Sequence, residues 1–173
     1  MTTVIRIQHE DFNLQQEYDR LRAIGGPGAI VTFSGLVRDF NRGDSEAAAA
    51  VETLTLQHYP GMTEKLLGEI VEQAEGRWTV NGITVIHRIG ELRPSDQIVL
   101  VAVSAAHRQE AFAAAEFLMD YLKTRATFWK KISAGGATQW VDMNAVDVDA
   151  AARWQQAQGA ESEQASNRKQ SGE

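Results

Sequence analysis

Apolar and polar residues alternate along this chain in two rhythms, and each predicts an element. Residues 3–7 are rich in β-branched side chains and predict a short strand. Leu14, Tyr18 and Leu21 recur at i, i+4 and i+7, the spacing of one helix face. Gly25-Gly-Pro-Gly28 breaks that pattern, and a strand follows over 29–37. Another strand is expected over 51–59, with Leu54 and Leu56 on one face. Residues 63–75 read as a helix with Leu66, Ile70 and Ala74 on one stripe. A strand over 83–89, a turn at Arg93-Pro-Ser-Asp96 and a wholly apolar strand over 98–103 come next. The longest helix runs from 106 to about 126, with Phe112, Ala115, Met119, Leu122 and Ala126 down one face. A last strand is expected over 139–143 and a short helix over 147–154. Strands and helices mix without strict alternation, which predicts an α+β fold with a largely antiparallel sheet.

Two stretches fall outside these rhythms. Residues 42–50 read as a mobile loop, because Gly43-Asp-Ser45 favours a turn ahead of the alanine run. Residues 155–173 hold almost nothing apolar and are expected to be a disordered polar tail, leaving one domain over 1–154.

Composition narrows the function. With 17 basic and 23 acidic side chains the net charge is −6, which argues against a general nucleic-acid binder. No apolar run approaches the roughly 20 residues of a membrane span, and residues 1–10 lack the apolar core of a secretory signal. There is no cysteine, so disulfides, thiolate metal sites and a cysteine nucleophile are all excluded. That fits a reducing compartment, and a cytoplasmic protein is expected. It also means that any sulfur chemistry must use sulfur carried by another molecule. Walker A and nucleophile-elbow sequences are missing, and His9, His58, His87 and His107 are scattered. No metal or cofactor is expected.

The segment Tyr121-Leu-Lys-Thr-Arg-Ala-Thr-Phe-Trp-Lys-Lys131 is the most informative. It puts Lys123, Arg125, Lys130 and Lys131 within nine residues of an acidic chain. One reading is a solvated helix C-terminus whose cations complement the helix dipole. The other starts from Phe128 and Trp129, which suggest packing rather than solvation. If the helix continued, Lys123 and Lys130 would lie on one face about 10 Å apart. Two such lysines lower each other's pKa, which suits a nucleophile or a group stabilising negative charge. Ser104-Ala-Ala-His107-Arg108 marks a strand giving way to a helix, either a plain surface start or an anion site. In Phe33-Ser-Gly-Leu-Val-Arg38 the glycine suggests a bulge, and Arg38 is placed either as an edge-strand residue or as a clamp for phosphate or carboxylate. His87-Arg88 reads as mainly structural, and His58-Tyr-Pro-Gly-Met62 as a turn.

Together these motifs resemble a known family. Phe33-x-Gly35-x-Val37-Arg38, His58-Tyr-Pro-Gly-Met62, His87-Arg-Ile-Gly90, His107-Arg108 with Ala111-Phe112, Met119-Asp-Tyr-Leu-Lys123 and Phe128-Trp-Lys130 follow the order of the large, catalytic subunits of molybdopterin synthase (MoaE-type). The resemblance covers roughly residues 4–154. It implies an α+β hammerhead-type fold that forms a homodimer, and a heterotetramer with two small ubiquitin-like sulfur carriers. It further implies conversion of cyclic pyranopterin monophosphate to molybdopterin, with dithiolene sulfur drawn from the carrier's C-terminal Gly-Gly thiocarboxylate. Lys123 and Lys130 then match the catalytic lysines, and Arg38, His107 and Arg108 the pocket for the pterin phosphate. Leu36, Val37, Met119 and Lys131 are carried over as further substrate-binding positions. Three positions depart from the pattern: Leu36 where lysine is frequent, Thr127 where proline is common, and Ile132 where glutamate usually follows the lysine pair.

Helix geometry adds one expectation of its own. His107 and Lys123 are sixteen residues apart on one predicted helix, about 24 Å. If both serve one small ligand, two copies must share the site, with Arg38, Lys123 and Lys130 from one and His107 and Arg108 from the other. Two rival readings compete: a non-catalytic module that binds and regulates a ubiquitin-like tail, and an RNA-binding basic patch around Phe128 and Trp129.

Overall fold

The computed structural model describes residues 2–41, 49–141 and 154. Its elements run β1 (Thr2–Gln8), α1 (Leu14–Arg22), β2 (Ala29–Leu36), β3 (Phe40–Asn41), β4 (Ala49–His58), α2 (Met62–Arg77), β5 (Val80–Arg88), β6 (Gly90–Leu92), β7 (Gln97–Ala105), α3 (Arg108–Thr124), β8 (Phe128–Ala134) and β9 (Ala137–Val141). The α+β expectation holds, but the strands form two sheets. One has the order β1-β5-β7-β2; the other has β3-β4-β8-β9, with β6 also pairing β4. Pairing is antiparallel except between β1 and β5.

β7 is apolar from Ile98 to Val103 because both its faces are covered. Val99, Val101 and Val103 meet α2 and α3 in the main core, whereas Leu100 and Ala102 meet Phe12 and Leu21 on the α1 side. The second sheet buries Leu54 and Leu56 with Val37, Val51 and Leu92. α1 starts where the Asn13 side chain accepts from the Gln16 N–H at 3.0 Å. Its buried Glu17 is flanked by Arg6 and Arg20, and Arg20 also reaches Thr84.

The two long helices bury faces slightly different from those expected. In α2 the buried stripe is Thr63, Leu67, Ile70, Val71 and Ala74, with Leu66 only half-buried. In α3 it is Ala111, Ala114, Phe117, Leu118 and Tyr121, flanked by Ala115 and Leu122. Phe112 points away and is 62% exposed. The 3-4-3-4 series beginning at Phe112 therefore follows the edge of the buried face rather than its centre.

α3 ends within two residues of the expected 126, and the largest departure is the strand that follows it, which was not expected. The helix stops at Thr124, and the Arg125 and Ala126 N–H groups both turn back to the Tyr121 carbonyl, at 2.8 and 3.4 Å. β8 follows, so Lys123 and Lys130 lie on different elements and not on one helix face. The expected strand over 139–143 is β9, set earlier, with 142 and 143 outside the described residues. In the expected loop, Ala49 and Ala50 instead open β4, and 42–48 lie outside the described residues. Of the helix expected over 147–154 only Trp154 is described, and it is helical; the tail over 155–173 also lies outside.

Candidate active site

α3 runs back along β7, and the sheet register says which residues share each end of it. His87 pairs Val99, and Leu36 pairs Gln97, so both lie at the start of β7. Lys123, in the last turn of α3, returns to that end. Half-buried Met119 lies one turn before it on the same side.

β8 then brings Lys130 to the same corner. Successive strand residues alternate sides, so Phe128, Lys130 and Ile132 share one side and Trp129 and Lys131 the other. Across the ladder Phe128 meets His58, Lys130 meets Leu56 and Ile132 meets Leu54. Lys130 is thus on the inner side, its stem beside apolar neighbours and its residue exposed overall. Ile132 packs against the core of the second sheet, a place where a carboxylate would be costly. Lys131 turns the other way, over the Trp140 ring at 5.9 Å. The structure therefore separates Lys131 from Lys130.

Thr127 fixes the corner. Its hydroxyl lies 3.1 Å from that of the fully buried Thr63, whose oxygen also accepts from the Tyr59 N–H at 3.2 Å. A proline here would lose the hydroxyl contact and leave only the bond from the Thr63 hydroxyl to the residue-127 carbonyl, 3.4 Å long, between the α3–β8 turn and the start of α2.

Arg38 reaches the corner through a bulge. Gly35 pairs Val99 but Leu36 pairs Gln97, so the register skips one residue as the glycine suggested. A Cβ on Gly35 would meet Val99 Cγ1 at 2.8 Å. After the bulge, the Val37 N–H donates to the Asp96 carbonyl and the Ser95 N–H to the Val37 carbonyl, both at 2.9 Å. Val37 is buried in the second core, while Leu36 and Arg38 are exposed beside it.

His107 and Arg108 lie at the opposite end of α3. His107 is the N-cap, extended at φ −127° and ψ 150°, and its side chain makes no capping bond. Both residues are exposed above the first-turn N–H groups. Gly28 packs against this start so closely that a Cβ would sit 2.2 Å from the Ala106 carbonyl oxygen. Along the helix axis His107 and Lys123 are about 24 Å apart.

Sequence reasoning passed over one group here. His87 is buried and stacks face to face on Phe128, centroids 3.6 Å apart and planes 10° apart. Its Nδ1–H donates to the Arg88 carbonyl at 2.8 Å. Burial, with smaller effects from the charges of Lys130 and His58, lowers its pKa to about 4, against the pull of the Arg88 bond. His58 Nε2 lies 3.2 Å from Glu64 Oε1, and Glu64 Oε2 accepts from the Gly61 N–H at 2.6 Å. Backbone hydrogen bonds hold the Glu64 carboxyl below its ordinary range. Among the described residues no three His, Asp or Glu side chains converge as a metal site, and no helix is long and apolar enough to cross a membrane.

Residues 7–125 match the family model described as MoaE protein. The chain belongs to the MoaE family. It is 53% identical to the molybdopterin synthase catalytic subunit of Vibrio cholerae, over 87% of this chain and 97% of that one. For the Escherichia coli catalytic subunit the figures are 51%, 88% and 98%. Among solved structures, the MoaE protein of Burkholderia ambifaria superposes with a TM-score of 0.73 at 46% identity, covering 89% of this chain and 98% of that one. Molybdopterin synthase from Staphylococcus aureus gives 0.69 at 31% identity, over 79% and 95%. Membership makes this MoaE chain the catalytic subunit of molybdopterin synthase, an enzyme of molybdenum cofactor biosynthesis.

Proposed function

We propose that this chain moves sulfur from the C-terminal Gly-Gly thiocarboxylate of a small ubiquitin-like carrier to cyclic pyranopterin monophosphate, at a site shared by two copies of itself. The observation that carries the reading is the split of the cations along α3. Arg38, Lys123 and Lys130 gather at one end, and His107 and Arg108 stand about 24 Å away at the other. One small ligand cannot span that distance within one chain, but a two-fold axis can bring opposite ends together. Exposed Phe112, on the same side of α3 as Arg108, and exposed Phe33 and Leu36 give apolar surface for such a homodimer. A Helicobacter pylori structure of this fold, 17% identical with a TM-score of 0.65, is a complex of subunits 1 and 2 of molybdopterin-converting factor, and we extend that pairing to a small carrier subunit for this chain; the heterotetramer of two catalytic chains and two carriers is part of the proposal.

In this reading Arg38 and the His107–Arg108 helix start hold the substrate phosphate, and Leu36 and Met119 line its approach. The thiocarboxylate sulfur attacks an oxygen-bearing carbon of the pterin side chain, forming the C–S bond as that carbon's C–O bond breaks and the oxygen leaves as water or as the opened phosphate ester. Water, or Lys123 followed by water, then cleaves the carrier's acyl–sulfur bond, leaving sulfur on the pterin and a carboxylate on the carrier. Lys130 stabilises the charge that develops or carries a proton. Two rounds complete the dithiolene. The chain carries no sulfur of its own chemistry, having no cysteine, and works in the reducing cytoplasm.

Incubation with thiocarboxylated carrier and pterin substrate tests the reading. Dithiolene should form, and Lys123→Ala should slow it about 100-fold or more. A wild-type rate in that variant with saturating carrier would contradict the role given to Lys123. Carrier binding without product would mark a regulatory module instead.

A further inference from the structure

The mechanism above uses the lysines of the α3–β8 corner but leaves unused the buried imidazole beneath it. We infer that His87 is a positioning residue for Lys130: its ring is the platform on which Phe128 sits, and that stack fixes the strand from which Lys130 projects. The inference rests on the reading that Lys130 takes part in sulfur transfer.

β8 pairs β4 and β9, both members of the second sheet. Those pairings set its register within that sheet but do not tie it to the first sheet, on which α3 packs. The His87–Phe128 stack joins the two, since His87 belongs to β5 and Phe128 to β8. Phe128 and Lys130 share one side of β8, so a shift or tilt of Phe128 is passed to Lys130 across about 7 Å of strand.

The ring is held on both sides of the stack. Its Nδ1–H bond to the Arg88 carbonyl sets the tautomer and leaves Nε2 unprotonated. Every charged group acting on it favours that neutral form: Lys130 from β8 and His58 from β4, with His58 itself paired to Glu64 at the start of α2. A neutral ring can lie flat on Phe128 near an ammonium group without placing a buried charge beside it.

The test uses the assembled enzyme with thiocarboxylated carrier. His87→Phe loses the Arg88 hydrogen bond but keeps an aromatic face, so the melting temperature falls while kcat stays within about threefold. His87→Leu removes the stack, and kcat falls about tenfold or more with KM for the pterin unchanged. Phe128→Leu removes the same stack from the other side and should reproduce that loss, which covers the case of a poorly folding His87 variant. In a Lys130→Gln background His87→Leu should slow single turnover no further, because the two act through one amine. Equal slowing in both backgrounds, or a wild-type kcat in His87→Leu and Phe128→Leu, would overturn the inference. Should Lys130→Gln leave no measurable turnover, the pH midpoint for acylation of Lys130, read by mass spectrometry, should move in His87→Leu while that of Lys131 stays; an unmoved Lys130 midpoint would equally overturn it. Full activity in Lys130→Gln would instead sink the role of Lys130, a different failure.

Discussion

The two ends of α3 differ in how completely the chain itself builds them. At the C-terminal end Lys123 and Lys130 stand over a corner assembled from four elements. Thr63 and Thr127 link α2 to the turn, and His87 and Phe128 link β5 to β8. At the N-terminal end His107 and Arg108 are exposed on a helix start whose cap makes no side-chain bond. The first end resembles a finished catalytic surface, where amines are held by packing. The second offers charge and free N–H groups that only another molecule can use. On the proposed reading the chain supplies one half of a site twice, with reaction assigned to one half and substrate capture to the other.

That division can be sharpened by experiment, beginning with the largest effect. Substituting Lys130 or Lys123 by Ala should lower kcat about 100-fold or more with little change in melting temperature, since both residues are exposed. Arg108→Ala should instead act on affinity, raising KM for the phosphate-bearing substrate about 10- to 100-fold through loss of one charge-assisted contact. Steady-state kinetics that showed the same pattern at both ends would erase the distinction.

A second effect belongs to the C-terminal corner alone. His87 has an ordinary pKa of 6.5 and is held at about 4 in the folded chain. Between those values the unfolded chain binds a proton that the folded one refuses. The stability it contributes is therefore complete above about pH 6.5 and falls as pH drops toward 4, by roughly 3 kcal/mol in all. Denaturant unfolding across that range should show the slope, and His87→Phe should flatten it. The smallest effect is that of Thr127→Val, which takes one partner from the buried Thr63 hydroxyl but leaves it the Tyr59 N–H and the residue-127 carbonyl, at a cost of about 0.5–1 kcal/mol, or about 1–4 °C in melting temperature.

Much of this was legible in the sequence where a pattern was local. The apolar run of β7, the Gly35 bulge and the helix start at His107 follow from residue type and spacing. The end of α3 near 126 followed too, but the strand after it did not, because its placement is tertiary: Thr127 finds Thr63 and Phe128 finds His87, both more than forty residues upstream. A signal for β8 was present in the alternation of Phe128, Lys130 and Ile132 with Trp129, Lys131 and Ser133, masked by the lysines. Phe112 misled for a related reason: a large side chain marks a buried stripe only when nothing better lies beside it, and here Ala111 and Phe117 hold the core face. His87 looked structural, and its burial supports that much; its stack on the strand of Lys130 is visible only once the two sheets are in place.

The shared site is tested most directly by mixing two impaired variants at a pterin concentration far below KM, where each alone has little activity. Lys123→Ala and Arg108→Ala chains, unfolded and refolded together, should form hybrid dimers in which one site carries both lesions and the other carries none. Random pairing then restores roughly one quarter of wild-type dithiolene formation. If the mixture is no more active than the two variants measured apart, each site is built within a single chain and the division along α3 is wrong.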